Sequence, residues 1–268
     1  DGVFKGSQTI EYFSVAHNDE FTTIGAEAFM NSSLRNVDLF DSVTTIGARA
    51  FAGCMQLEAL TLPDSLTTIG EGALDGLTGL KKLVIQCDPA IIPAGVFANL
   101  PALSDVTIEF GAVPAHMFEG SGVTVLTLGA GVTEIGDSAF ANTALTSAEM
   151  QNVTAIGAGA FANTALTSAE IQNVTAIGAG AFEGSALERV QLNAAASVGE
   201  RAFANTKLTK MVIPTAGSFP LSAVEGTSAD LRLPADATDE QLAAWSETLQ
   251  RPWYDPMLRE GETSKFVK

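Results

Sequence analysis

Basic side chains are scarce in this chain and, across its middle, missing. The 268 residues carry 14 Lys and Arg against 31 Asp and Glu, a net charge of −17. Between Lys82 and Arg189 there are ten acids and no base. Such a surface offers phosphates no counter-charge, which excludes nucleic-acid binding and attraction to anionic lipid. Acidity either keeps a long molecule soluble or draws a basic partner. Cysteine is almost as scarce: Cys54 and Cys87 are too few for a disulfide framework and are expected as buried free thiols. No segment reads as a signal peptide or a membrane span, so direct membrane insertion is not expected. The motifs HExxH and Cys-x-x-Cys and the EF-hand loop are absent, so no metal or cofactor is expected.

What the chain has is one phrase ten times over. Ile24-Gly25-x-x-Ala28-Phe29 returns at Ile46, Ile69, Ile92, Val113, Ile135, Ile156, Ile177, Val198 and Phe219, every 21 to 23 residues. A fixed period of this length implies a solenoid, whose units bury their apolar faces only by stacking. A second phrase follows each first one, as in Leu57-Glu58-Ala59-Leu60-Thr61-Leu62. Its last apolar positions alternate with a variable residue, the period of a half-buried strand. Stacked units would align these strands in one parallel sheet about 45 to 50 Å long.

Two further positions are strict. Two residues beyond each Phe or its equivalent stands Asn or Gly, from Asn31 and Gly53 to Asn205 and Gly226. Those residues best tolerate the left-handed conformation that ends a helical turn. After the leading apolar residue comes Gly in seven units and Pro in three, Pro93, Pro114 and Pro220. Phe4-Lys5-Gly6-Ser7 repeats Phe182-Glu183-Gly184-Ser185, so residues 1–20 read as a partial unit of a longer, trimmed chain. Thr238-Asp239-Glu240-Gln241 forms a capping box. It predicts a helical cap over 235–256, with Trp245 and Trp253 packed on the last repeat, and a mobile tail over 257–268.

The pattern from Leu57 through Gly76, LxxLxLPxxLxxIGxxAFxG with Leu74 in the Phe slot, resembles the leucine-rich repeats of BspA-like bacterial surface proteins. The resemblance covers residues 21–234. It implies an α/β repeat: a right-handed leucine-rich repeat solenoid with a parallel concave sheet, short helical turns opposite and the C-terminal capping helix. It also implies a secreted or surface-attached adhesion module without catalytic residues.

The residues themselves give chemistry little footing. In a regular stack His17 and His116 would lie about 20 Å apart, and Cys54 and His116 about 14 Å apart, so neither pair could share a proton. Gly157-Ala158-Gly159 and Gly178-Ala179-Gly180 are copies of the repeat and not phosphate loops. Enzymatic activity is therefore not expected.

Binding would use the exposed strand positions, where Glu149, Gln151, Glu170, Gln172, Gln191 and Asn193 converge on adjacent strands. The expected partner of a monomeric fragment is an extracellular or host protein with a basic surface. Against this, residues 142–162 and 163–183 differ only at 150/171 and 162/183, so the ladder could equally be copied solvated surface on a passive spacer. A glycan binder is a third reading, disfavoured because Phe40 is the only aromatic among the exposed strand positions read.

Overall fold

A computed structural model describes residues 1–14, 20–193, 196–213, 219–232 and 238. Its strands are β1 (Tyr12–Ser14), β2 (Thr23–Ile24), β3 (Asn36–Asp38), β4 (Thr45–Ile46), β5 (Ala59–Leu62), β6 (Thr68–Ile69), β7 (Lys82–Ile85), β8 (Asp105–Val113), β9 (Val125–Ile135), β10 (Ser147–Glu149), β11 (Ala155–Ile156), β12 (Ser168–Ile171), β13 (Ala176–Ile177), β14 (Arg189–Leu192), β15 (Ser197–Val198), β16 (Lys210–Val212) and β17 (Asp230–Arg232). Every pairing among them is parallel. The chain coils as a β-solenoid with three faces: a strand face, a second face of two-residue strands ending in the leading Ile, and a turn face. The expected capping helix over 235–256, with Trp245 and Trp253, and the tail over 257–268 lie outside the described residues but for Thr238.

The turn face differs from expectation. Among the described residues the only helical segments are 3-10 turns at Pro89–Ile91 and Leu221–Val224. Elsewhere the amides alternate. Those of Ala28, Met30 and Ser32 close turns onto Gly25, Glu27 and Phe29, while those of Glu27, Phe29 and Asn31 reach the carbonyls of Ala48, Ala50 and Ala52 in the next coil. A helix would keep all its amides for itself. Here every second one serves the stack, and left-handed residues at two places make the alternation possible. One is the Asn/Gly position, with positive φ in all ten units. The other is the fourth residue of the phrase, at Glu27, Arg49, Gly72, Gly95, His116, Ser138, Gly159, Gly180 and Arg201.

The single long sheet is also corrected. A nine-stranded sheet runs β1-β3-β5-β7-β8-β9-β11-β13-β15, a five-stranded one β10-β12-β14-β16-β17 and a three-stranded one β2-β4-β6. The crossover comes from β8 and β9, which continue round the corner from the strand face to the second face. Most corners are made by a turn, such as Pro63 to Leu66 or Ile171 to Val174. Only Glu109 to Ala112 separate Ile108 from Val113, too few for that turn, so β8 runs on through a bulge. Gly129 and Gly131 let β9 follow: a Cβ on them would stand 2.2 Å from the Glu109 carbonyl and 2.4 Å from Phe110 Cβ.

Glycine after the leading Ile is explained by crowding. A Cβ at Gly178 would lie 2.4 Å from the Ala158 amide nitrogen. The Gly178 amide also donates to the Ile156 carbonyl of the preceding coil. Proline cannot donate. Pro93 and Pro114 fall where the second face is unpaired, between β6 and the end of β8.

Inside, aromatic rings stack coil on coil. Phe4, Phe29 and Phe51 lie 5.3 Å apart, and Phe97, Phe118, Phe140, Phe161, Phe182 and Phe203 follow at 5.2 to 6.0 Å. Each such pair adds about 0.5–1.5 kcal/mol beyond its burial. Leu74 interrupts the column. At the same junction the amides of Gly72, Leu74 and Gly76 make no bond to the next coil, and β6 ends the three-stranded sheet. Only the strand face, through β5, β7 and β8, is continuous there.

A parallel inner column carries hydroxyls. Thr143, Thr164 and Thr206 donate to the carbonyls of Phe140, Phe161 and Phe203. Cys54 occupies the same slot, its thiol 3.0 Å from the Phe29 carbonyl. Cys87 is buried on another part of the core. Burial pushes both thiols up, Cys54 against a partly opposing Ser32 hydroxyl, and Cys87 from 9.0 to about 11.

Three outcomes follow from this packing. In hydrogen exchange, the Gly72, Leu74 and Gly76 amides should exchange about tenfold or more faster than those of Ser138, Phe140 and Asn142; equal protection would mean the junction is as tight as its neighbours. Gly178→Ala should lower stability by about 1–3 kcal/mol in urea unfolding, and an unchanged midpoint would show that the coil below yields freely. Iodoacetamide at pH 8 should leave both thiols unmodified until urea is added. Because the folded Cys87 favours the neutral thiol, its contribution to stability is intact below pH 9 and declines as pH rises to about 11. Cys87→Ala should remove that part of the alkaline decline.

Candidate functional site

The strand face presents alternate residues outward in columns. The middle column is in register as the sequence implies: Thr61, Val84, Thr107 and Thr127 in the first half, Glu149, Glu170 and Gln191 in the second. Glu149, Glu170 and Gln191 are exposed. The structure therefore brings these three candidates together on β10, β12 and β14.

The other three stand where the strands end and turn. Gln172 Nε2 donates to Gln191 Oε1 at 3.3 Å. Asn193 Nδ2 donates to the Gln172 carbonyl at 3.0 Å, as Asn173 Nδ2 does to the Gln151 carbonyl at 2.5 Å. Coil-to-coil bonding thus occupies the Asn193 amide, and Gln172 and Gln191 bind each other.

A second outward column, two residues earlier, was not read from the sequence as part of the site. It carries Ser147, Ser168, Arg189 and Lys210, with Arg189 directly opposite Lys210. Arg189 and Lys210 are exposed, and together with Glu170, Gln191 and Val212 they line an open depression of about 590 Å³. The signal was available: reading every second residue of each strand returns both columns.

Pairing separates the two halves of this face. In the first half Lys82 is 3.4 Å from Asp105, and Tyr12 donates its hydroxyl to Asp38. Ion pairs off this face also tie coil to coil, with Glu58 reaching Arg35 and Lys81, and Arg201 bridging Glu183 and Glu225. In the second half Glu149, Glu170, Arg189 and Lys210 form no ion pair with a described residue. Glu149 stands opposite Glu170 and Arg189 opposite Lys210, and like charges directly across a strand pair destabilise a sheet; on its other side Lys210 stands opposite Asp230 of β17.

The catalytic candidates are not brought together. His17 lies outside the described residues, and His116 Nδ1 sits 2.7 Å from Glu119 Oε2. Both thiols are buried, and among the described residues no group of three or more His, Cys, Asp or Glu is placed to hold a metal ion. No helix among them is long and apolar enough to cross a membrane.

Comparison with known proteins agrees with this geometry. The model of the BspA type leucine rich repeat region matches six copies over residues 1–114 and 111–226. A leucine-rich repeat protein from Bacteroides ovatus, 18% identical, superposes with a TM-score of 0.50 over 87% of this chain and 75% of that one. A leucine rich cell surface protein from Faecalibacterium prausnitzii is 19% identical, with a TM-score of 0.36 over 87% and 90% of the two chains. The pneumococcal vaccine antigen PcpA is 16% identical, with a TM-score of 0.39 over 89% and 76%. No curated protein matches the sequence. With its stacked coils, its two strict turn positions and six family repeats over most of its length, the chain belongs to the BspA-type leucine-rich repeat family.

Proposed function

We propose that this chain is a non-catalytic recognition module of a secreted or cell-surface protein, which binds an extracellular or host protein through its strand face in the manner of an adhesin. The observation that carries the reading is the set of four unpaired charges on β10, β12, β14 and β16. Two like-charged cross-strand pairs cost a sheet stability, and a partner bearing the opposite charges offsets that cost on binding. Repeat proteins commonly bind through such an extended surface. The family supplies the expectation of surface location and of interaction in place of chemistry. The Glu and Gln residues first picked from the sequence remain the acidic part of the contact, with Glu149 and Glu170 as its charged centre and Gln151 beside them.

A spacer that merely holds another domain is the second reading, favoured by the near-identity of residues 142–162 and 163–183. Copying a unit preserves a rod but also repeats a contact, so duplication alone decides nothing between them.

Binding of the purified chain to a panel of extracellular-matrix and plasma proteins, at low and at physiological salt, separates the two. Recognition predicts a saturable partner whose binding weakens about tenfold or more in Glu149→Lys/Glu170→Lys and at the higher salt. A response that the double charge reversal leaves unchanged, or silence across the panel, favours the spacer.

A further inference from the structure

On β10, β12, β14 and β16 the exposed charges of the second half are sorted by sign. Along the solenoid axis the strand face reads acid, acid, base, base across β10, β12, β14 and β16. Over these four strands the acids stand in one column and the bases in the other; β17 beyond them reverses both columns, with Asp230 opposite Lys210 and Arg232 opposite Val212. Neighbouring strands lie about 4.8 Å apart and outward residues of one strand about 6.8 Å apart. The midpoint of Glu149 and Glu170 is therefore about 10 Å along the axis and 7 Å across it from the midpoint of Arg189 and Lys210. Their separation is about 12 Å, the span of three to four residues of extended chain at about 3.3 Å each.

Between and around the charges the floor of the face is small or apolar. Ala169, Val190 and Met211 lie in it, Ser168 and Gln191 rise from it, and Val212 is 57% exposed at the far end. The depression there holds about 590 Å³, ample for side chains laid across the strands. The first half offers nothing comparable, because Lys82 and Asp105 satisfy each other.

We infer that this face takes an extended polypeptide segment of mixed charge, whose basic residues pair with Glu149 and Glu170 and whose acidic residues, about four positions away, pair with Arg189 and Lys210. The inference rests on the proposed recognition role and narrows it from a basic partner to a zwitterionic one. A purely basic segment would satisfy the acids and meet repulsion at Arg189 and Lys210. A purely acidic segment would meet the reverse. Only the sorted segment gains at both ends, so the patch discriminates by repulsion as well as by attraction.

The probes are fluorescent peptides of about twelve residues on a Ser/Thr background, the length being set by the span of the face. One carries Lys-Lys and Glu-Glu blocks separated by two residues, which sets the block midpoints about four residues apart, one carries the blocks adjacent, two carry a single sign and one is neutral. In fluorescence anisotropy at low salt the spaced peptide should bind the whole chain about tenfold or more tighter than any of the others. Glu149→Lys/Glu170→Lys should abolish its advantage over the all-Glu peptide, and Arg189→Glu/Lys210→Glu its advantage over the all-Lys peptide. Both variants should keep the wild-type circular dichroism and urea midpoint, which separates lost contacts from lost folding. The inference is overturned if the all-Lys peptide binds as well as the spaced one, or if reversing Arg189 and Lys210 changes nothing. It is also overturned if no peptide binds while a protein of the panel does, and in that case the recognition role stands. Silence of peptides and panel together would remove both readings.

Discussion

Half of the amides on the turn face leave their own coil to bond the next one, and the whole solenoid depends on that division. A unit of 21 to 23 residues cannot enclose its own apolar side chains. What it can do is align its carbonyls with its neighbour's amides on the strand, second and turn faces, so that the rings of Phe118, Phe140 and Phe161 fall one above another. The left-handed residues turn every second amide along the axis. Glycine after the leading Ile lets the coils approach closely enough for those bonds to form. Each strict position in the repeat therefore serves contact between coils more than structure within one.

The same logic shows why some features could be read from the sequence and others could not. The Asn/Gly position was legible because backbone conformation restricts residue type there, and all ten residues have positive φ. The second left-handed position was not, since it accepts Glu27, Arg49, His116, Ser138 and Arg201 as well as glycine. A side chain pointing into solvent leaves only the backbone strain, which neighbours that hold both flanking bonds can sustain. The helical turns were misread for a related reason: a short apolar pair with a left-handed stop fits a helix end and a chain of turns equally well. The sheet crossover was encoded in the short corner between Ile108 and Val113 and in the prolines at 93 and 114, but irregular spacing within a repeat gains meaning only once the faces are known.

On the strand face, alternation aligns Glu149, Glu170 and Gln191 in one outward column, as the sequence implies, because a strand allows no other arrangement. Arg189 and Lys210 escaped notice because one column was followed and the sequence reads as acidic throughout its middle. The Asn193 amide closes onto the coil below, a bond the sequence does not announce. Hydrogen bonds between side chains and backbone in the adjacent unit are invisible to any reading that stays within one unit.

These bonds also explain how the face can sustain like charges side by side. From Ser138 onward the second face is paired through β15, the turn ladder of the described residues lacks only the bond from the Arg201 amide, and the phenylalanine column is unbroken from Phe97 to Phe203. A pair of facing carboxylates and a pair of facing cations each cost a few tenths of a kcal/mol, up to about 1 kcal/mol. Coils tied on their other two faces hold that arrangement in place, where an isolated sheet would relax it. The local conflict is thus borne by the part of the stack best able to bear it. The stack fixes the backbone positions of the four charges, and ordering their exposed side chains in a complex would cost about 0.5–1.5 kcal/mol each.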